Sequence, residues 1–241
     1  MSIKLSIIIP VLNSHMVVKR QIRHFRRLRL PDDVEIILMD DGSDPPLEFP
    51  DMGLRNLTIY PTHDKRLWTP CLARNKGAEI ARGEYLLMTD IDHILSKHAI
   101  AAAHAFTGDR MHFFRFIAIL SARGAIVQNL DALFKFGFSR GRYAKHNLGA
   151  GSHTNTFCIR KSVFDALGGY NLFRCTMQRH TCHDDADLNK RWMVSVRAGI
   201  YKSSVLGPPI YMYPVGRFNA TGATNPNGLF HSQPRDDLGQ R

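Results

Sequence analysis

The stretch KLSIIIPVL at residues 4–12 limits the fold more than any other part of the chain. It is a nearly continuous aliphatic run with no polar face, the pattern of a strand buried on both sides in a parallel sheet. Similar runs follow at VEIILMDDGS (34–43), LTIYPTH (57–63) and EYLLMTDID (84–92). Between the first two, Val18, Ile22 and Phe25 recur at helical spacing, while Lys19, Arg20, Arg23, Arg26 and Arg27 cover the rest of the turn. Pro10 stops the first strand, and Asn13 or Ser14 can cap this helix. Thr69-Pro70 opens a second helix, which Gly83 closes. Strands alternating with helices through residue 95 predict a doubly wound α/β half.

The second half is less regular. MHFFRFIAIL (111–120) and TNTFCIR (154–160) read as strands, and the helix after the latter stops at Gly168-Gly169. Residues 135–153, rich in Gly, basic and aromatic side chains, read as a long functional loop. DDADLNKRW (184–192) starts a helix with acids in its first turn, where the helix dipole favours them. From Arg217 onward no periodicity remains. The division expected is one half at 1–100, a second at 101–216, and a tail at 217–241 that could act as a lid. There are no internal repeats.

No run approaches the roughly 20 apolar residues that span a bilayer. The apolar part of MSIKLSIIIPVLN is too short for a signal peptide and reads as the first strand. The scattered Cys71, Cys158, Cys175 and Cys182 suggest reduced thiols in a cytoplasmic protein. The net charge of +11 is uneven: residues 1–30 hold seven basic residues and no acid, and residues 110–164 hold nine basic residues and one acid, Asp131. Such asymmetry points to a polyanionic partner or an anionic membrane surface, although basic residues also serve solubility.

The fourth strand ends on Asp90 and Asp92. Residues i and i+2 of a strand face the same side, so both carboxylates can meet at the carboxyl edge of the sheet, where open α/β sheets bind ligands. Two carboxylates there repel unless a cation or donors join them. A hard divalent ion carrying substrate phosphates suits the pair; a solvated loop is the plainer reading.

The ordered combination SIIIPVLN, EIILMDDGSD, ARNKGAEIARGEYLLMTDID, NTFCIRKSVFDALGGYN and DDADLNKRW resembles the GT-A glycosyltransferases of the mainly inverting family-two type, over about residues 4–195. The resemblance implies a GT-A fold, a doubly wound, Rossmann-like mixed sheet with helices on both faces in a single domain. It also implies a nucleotide-sugar donor, UDP most readily, and Mn²⁺ or Mg²⁺. Pro10, Val11 and Asn13 would border the base and ribose, with Asp40 and Asp41 on the uracil or ribose. Arg74 and Asn75 would face the diphosphate or base. Asp90 would touch the ribose or metal-bound water, and Asp92 would ligate the metal, with a late histidine, His231, as a further ligand. The catalytic base that takes the acceptor proton would be Asp185, with Asp184 second, in place of the family's Glu-Asp pair. Asp40-Asp41-Gly42 is also an ordinary turn sequence.

In 134–147, Lys135, Arg140, Arg142 and Lys145 interleave with Phe134, Phe136, Phe138 and Tyr143. Cations on phosphates and rings on bases fit a flipped or single-stranded nucleic acid, so hydroxymethylated-base DNA is the favoured acceptor. A surface or lipid-linked glycan stacked on the same rings is the alternative. His183, beside the base, would position the acceptor. Cys175, His180, Cys182 and His183 could instead hold zinc, but their spacing matches no common finger. A non-catalytic nucleic-acid-binding module is the competing class. A dehydrogenase is excluded by the missing glycine fingerprint after the first strand.

Overall fold

Alternate residues of the first strand enter opposite cores. In β1 (Leu5–Val11), Leu5, Ile7, Ile9 and Val11 pack into one hydrophobic cluster, and Ile8 packs into the other. The same parity holds in β2 (Val34–Asp40), which sends Ile36 and Leu38 to the first core and Ile37 and Met39 to the second. Burial on both faces explains the unbroken aliphatic runs, because neither face has water to accommodate polar residues. The computed structural model that shows this describes residues 2–49, 53–64, 66, 69–121, 123–129, 133, 149–173 and 184–212, without the side chains of Ala150, Asp184 and Asp185.

Helix α1 (His15–Leu28) follows β1, and β3 (Leu57–Pro61) follows β2. After α2 (Pro70–Ile80) come β4 (Tyr85–Met88), β5 (His93–Ile94) and α3 (Lys97–Ala105). The second half contains β6 (Arg110–Ile117), β7 (Ile119–Leu120), β8 (Ile126–Val127), β9 (Gly149–Arg160), α4 (Lys161–Ala166), α5 (Asp184–Arg197), β10 (Val205–Leu206) and β11 (Ile210–Met212). The main sheet runs β3-β2-β1-β4-β9-β6-β11-β5, with β10 beside β6. β3, β2, β1 and β4 are parallel, while β9 is antiparallel to both β4 and β6. Helices α1 and α3 cover the first core, and α2, α4 and α5 cover the second. The mixed, two-sided sheet expected from the sequence is the one present.

Several boundaries differ from the sequence reading. β4 stops at Met88, so Asp90 and Asp92 lie beyond the strand, in a turn closed by the His93 amide on the Asp90 carbonyl at 3.0 Å. The strand expected at 154–160 begins at Gly149 and takes in residues assigned to the loop. Ser14 stands at the N-cap of α1, but its hydroxyl donates to the Leu12 carbonyl and caps no amide. Gly83 lies beyond α2, which ends at Ile80. Cys71 is disulfide-bonded, which corrects the all-thiol expectation at that position, while Cys158 is a buried free thiol.

A polar knot fastens the amino ends of these strands. The Ser6 hydroxyl donates to Glu35 Oε1 at 2.7 Å, and the Arg82 guanidinium donates to Glu35 Oε2 at 2.7 and 2.9 Å. The amides of Arg82 and Gly83 close it, on Glu35 at 2.7 Å and on Ser6 Oγ at 2.9 Å. Glu35 is thereby a buried carboxylate with its acceptors filled. Burial alone would raise its pKa; Ser6 and Arg82 outweigh that and hold it below the ordinary value. At Gly83 a Cβ would lie 2.6 Å from the Ser6 amide nitrogen and 2.9 Å from the Leu5 carbonyl carbon. Backbone cannot rotate away as a side chain can. Gly83→Ala is therefore expected to lower unfolding free energy by about 1–3 kcal/mol, read as a shift in urea midpoint at unchanged slope.

Candidate active site at the carboxyl edge of the sheet

The strand ends of β1, β2 and β4 open onto one region, and the residues just past them are polar. After β1, Asn13 takes a positive φ of 47°, donates its amide to Ser43 Oγ at 2.9 Å and accepts the Asp44 amide on Oδ1 at 2.8 Å. It thus ties the first loop to the second. Pro10 and Val11 are buried within β1 itself. Asp40 accepts the amides of Ser43 and Leu47, both at 2.9 Å, so both its oxygens shape the loop that follows. Asp41 is also buried, and it accepts the amide and hydroxyl of Thr69 at 2.6 Å each and the Thr62 hydroxyl at 3.4 Å. It ties the end of β2 to the start of α2.

Burial pushes the Asp41 carboxyl up to about 6, against the pull of its threonine donors. The sign follows from linkage: an acid whose folded pKa lies above its unfolded value binds more protons in the native state, so its contribution to stability grows as pH falls through that window. Relative to Asp41→Asn, the unmodified chain should gain about 1–3 kcal/mol of stability between about pH 7 and about pH 4. Thermal melts of both proteins across that range measure the difference; parallel pH profiles would contradict it.

From α2, the buried Arg74 reaches the turn beyond β4 and pairs with Asp90 Oδ1. Its guanidinium also lies 5.6 Å from the centre of the Tyr170 ring. Asn75 turns elsewhere: its amide donates to the Tyr170 carbonyl and accepts the Tyr170 amide, each at 2.9 Å. Both its polar atoms hold the chain after α4, which gives Asn75 a scaffold position. The other Asp90 oxygen stands 3.4 Å from His153 Nδ1 on β9. Burial would raise the Asp90 pKa, but Arg74, His93 and His153 outweigh it and hold the carboxyl below its usual range.

His93 and His153 are the site residues that sequence reasoning missed. His93 directly follows Asp92, and that adjacency was the available signal. Its ring is buried, with Nδ1 accepting the Asp90 amide at 3.3 Å and lying 3.1 Å from the hydroxyls of Thr89 and Thr156. A backbone amide can only donate, so Nδ1 is the acceptor and the neutral ring carries its proton on Nε2. That nitrogen faces Asp92 Oδ1 at 3.9 Å. Burial lowers the His93 pKa more than the two aspartates raise it, which keeps the ring neutral. Behind the turn, the buried Gln21 of α1 donates to the carbonyls of Ile91 and His93, and His24 bonds the Leu95 carbonyl at 2.7 Å.

Asp90, Asp92 and His93 bring potential ligand atoms within 4.8 Å of one another. Two hard carboxylates on one turn, with Asp92 only 6% exposed, fit a divalent cation. With its proton on Nε2, His93 stands beside Asp92 as a neighbour, and of the three side chains the two carboxylates are the ones able to receive a cation. Helix α5 is anchored nearby: Leu188 and Trp192 are buried, and Arg191 donates to the carbonyls of Leu167 and Gly169 and to Asp187. Asp184 opens this helix. The side chains of Asp184 and Asp185 lie outside the described residues, as do His183, Lys135, Arg140, Arg142, Tyr143, His231 and the cluster Cys175, His180 and Cys182.

Residues 6–174 match the family model described as Glycosyl transferase family 2, so the chain belongs to that family. The fold is similar to a crystal structure of TarS from S. aureus in complex with UDP-GlcNAc, with TM-score 0.54 and 15% identity, covering 97% of this chain and 63% of that one. It is also similar to the mannosyltransferase PcManGT from Pyrobaculum calidifontis in complex with GDP-Man and Mn²⁺, with TM-score 0.51 and 16% identity, covering 89% of this chain and 57% of that one. Among curated proteins, the glycosyltransferase GlyG of Streptococcus pneumoniae serotype 4 is 28% identical over 102 residues, which is 42% of this chain and 34% of GlyG. The chain thus spans about a third of that relative and about three-fifths of the solved chains. No helix among the described residues is long and apolar enough to cross a membrane.

Proposed function

We propose that this chain is an inverting glycosyltransferase that moves a sugar from a nucleotide-diphosphate sugar, a UDP-sugar first, to an acceptor hydroxyl. The observation that carries the reading is the turn after β4, where two carboxylates beyond a buried strand converge at the carboxyl edge of the sheet and Arg74 pairs with one of them. Solved structures of the same fold carry UDP-GlcNAc in one case and GDP-Man with Mn²⁺ in another, which supports the donor class.

Asn13, Asp40 and Asp41 shape the loops that would receive the base and ribose, with Pro10 and Val11 supporting them from β1. A divalent cation, Mn²⁺ or Mg²⁺, on Asp92 and Asp90 would neutralise charge on the leaving diphosphate, with His231 a further ligand on this reading. Arg74 pairs with Asp90, and Asp92 is assigned as the direct ligand. Asp185 is assigned as the base, with Asp184 second: it takes the proton of the acceptor hydroxyl as that oxygen bonds to the anomeric carbon. The bond from that carbon to the diphosphate oxygen breaks, and the nucleoside diphosphate leaves.

For the acceptor, the excess of positive charge supports a polyanion such as hydroxymethylated-base DNA; a bacterial surface or lipid-linked glycan is the alternative. Lys135, Arg140, Arg142, Tyr143 and His183 would contact it. The cytoplasm is the proposed compartment, as the sequence reading expects.

Labelled UDP-, GDP- and dTDP-sugars incubated with Mn²⁺, with and without each acceptor, test the reading. Turnover of one donor, strongest with its acceptor, is expected, and Asp185→Asn should bind that donor normally while losing at least about a hundredfold in rate. No metal-stimulated turnover of any donor would sink the transferase reading. Full activity in Asp185→Asn would refute the base assignment alone.

A further inference from the structure

The outer face of α1 is cationic along its length. Lys19, Arg23, Arg26, Arg27 and Arg29 are exposed, while Val17, Val18, Ile22 and Phe25 fill the core behind them. No acidic residue occurs in the helix. Two flanking loops widen the ridge. A Cβ on Gly53 would lie 2.9 Å from the Arg26 guanidinium carbon, and one on Gly124 would lie 2.5 Å from Arg27 Nη1. Both guanidinium groups therefore rest on bare backbone, next to loops that carry the exposed Arg55 and Arg123. Among the described residues, none of the ion pairs includes Lys19, Arg23, Arg26, Arg29, Arg55 or Arg123. Of the two acids between α1 and β2, Asp33 pairs with His104, and the exposed Asp32 is in none of these ion pairs.

We infer that this ridge is a docking surface for an anionic lipid bilayer. Like charges crowded on one helix face repel one another, and a plane of phosphate headgroups relieves that repulsion. Among the described residues the ridge carries no exposed aromatic ring on which bases could stack, which argues against single-stranded nucleic acid. Its one exposed large apolar side chain is Met16, 59% exposed, at the end of α1 nearest the acidic turn, suited to the headgroup boundary. The inner face of the same helix holds that turn through Gln21 and His24. A bilayer against the outer face would therefore fix the candidate site at a set distance from the headgroups, where a lipid-linked acceptor presents its hydroxyl. This placement rests on the function proposed above; the docking itself does not.

Co-sedimentation of the full chain with vesicles tests the inference without any activity assay. Binding is expected to vesicles of equimolar phosphatidylcholine and phosphatidylglycerol, to fall with added salt, and to be absent on pure phosphatidylcholine. The triple variant Lys19→Glu, Arg23→Glu, Arg26→Glu should lose at least about a hundredfold in affinity, from roughly fivefold per cation removed. Its circular dichroism and melting point should match the unmodified chain, since all three side chains are exposed. The triple variant with Lys19→Arg, Arg23→Lys and Arg26→Lys should bind as the original does. Equal binding to neutral vesicles, or unchanged binding by the glutamate variant, would overturn the proposal. So would tighter binding to duplex DNA than to vesicles at matched phosphate concentration that is lost in the glutamate variant, since the ridge would then be a nucleic-acid surface.

Discussion

A parallel strand buried on both faces has no place for an ionised side chain except beyond its end. That constraint governs the molecule. β1, β2 and β4 are apolar throughout their central parts, so their loops hold the polar residues of this half, and the doubly wound order brings those loops to one edge. The exception shows what burial costs: Glu35 lies within β2 and is tolerated because Ser6, Arg82 and Gly83 fill its knot at the opposite edge. One edge is thus fastened by a satisfied carboxylate, and the other presents carboxylates arranged for a ligand.

At the ligand edge, the aspartates divide by what they touch. Asp40 and Asp41 accept backbone amides and threonine hydroxyls, and they shape the walls. Asp90 is charge-balanced by Arg74, and Asp92 lies beside a neutral histidine. α1 supports their turn from behind, so the helix that carries the basic ridge also positions the acidic turn.

Much of this was legible in the sequence, for physical reasons. Seven-residue strands built mainly of aliphatic residues announce themselves, and Thr69-Pro70 marked the start of α2 correctly because a proline suits the first helical turn. The convergence of Asp90 and Asp92 was expected for a partly mistaken reason. They converge through a turn after Met88, where alternation along a strand had been expected to align them. The short strands β5, β7, β8 and β10 have two residues each, too few to show any period. Asn75 was read as facing the donor because its role depends on Tyr170, 95 positions away, which no local pattern reveals. His153 stayed hidden for a related reason: the glycine-rich run before it reads as loop, yet it is the start of β9.

The central claim is that the turn at Asp90 and Asp92 is a divalent-cation site serving a nucleotide diphosphate. Crystals grown with Mn²⁺ and UDP, with data collected near the manganese absorption edge, test it most directly. The account predicts one strong anomalous peak within coordination distance of an Asp92 carboxylate oxygen, absent in Asp92→Asn crystals. A peak elsewhere in the chain, or UDP bound at this edge with no manganese at Asp92, would contradict it.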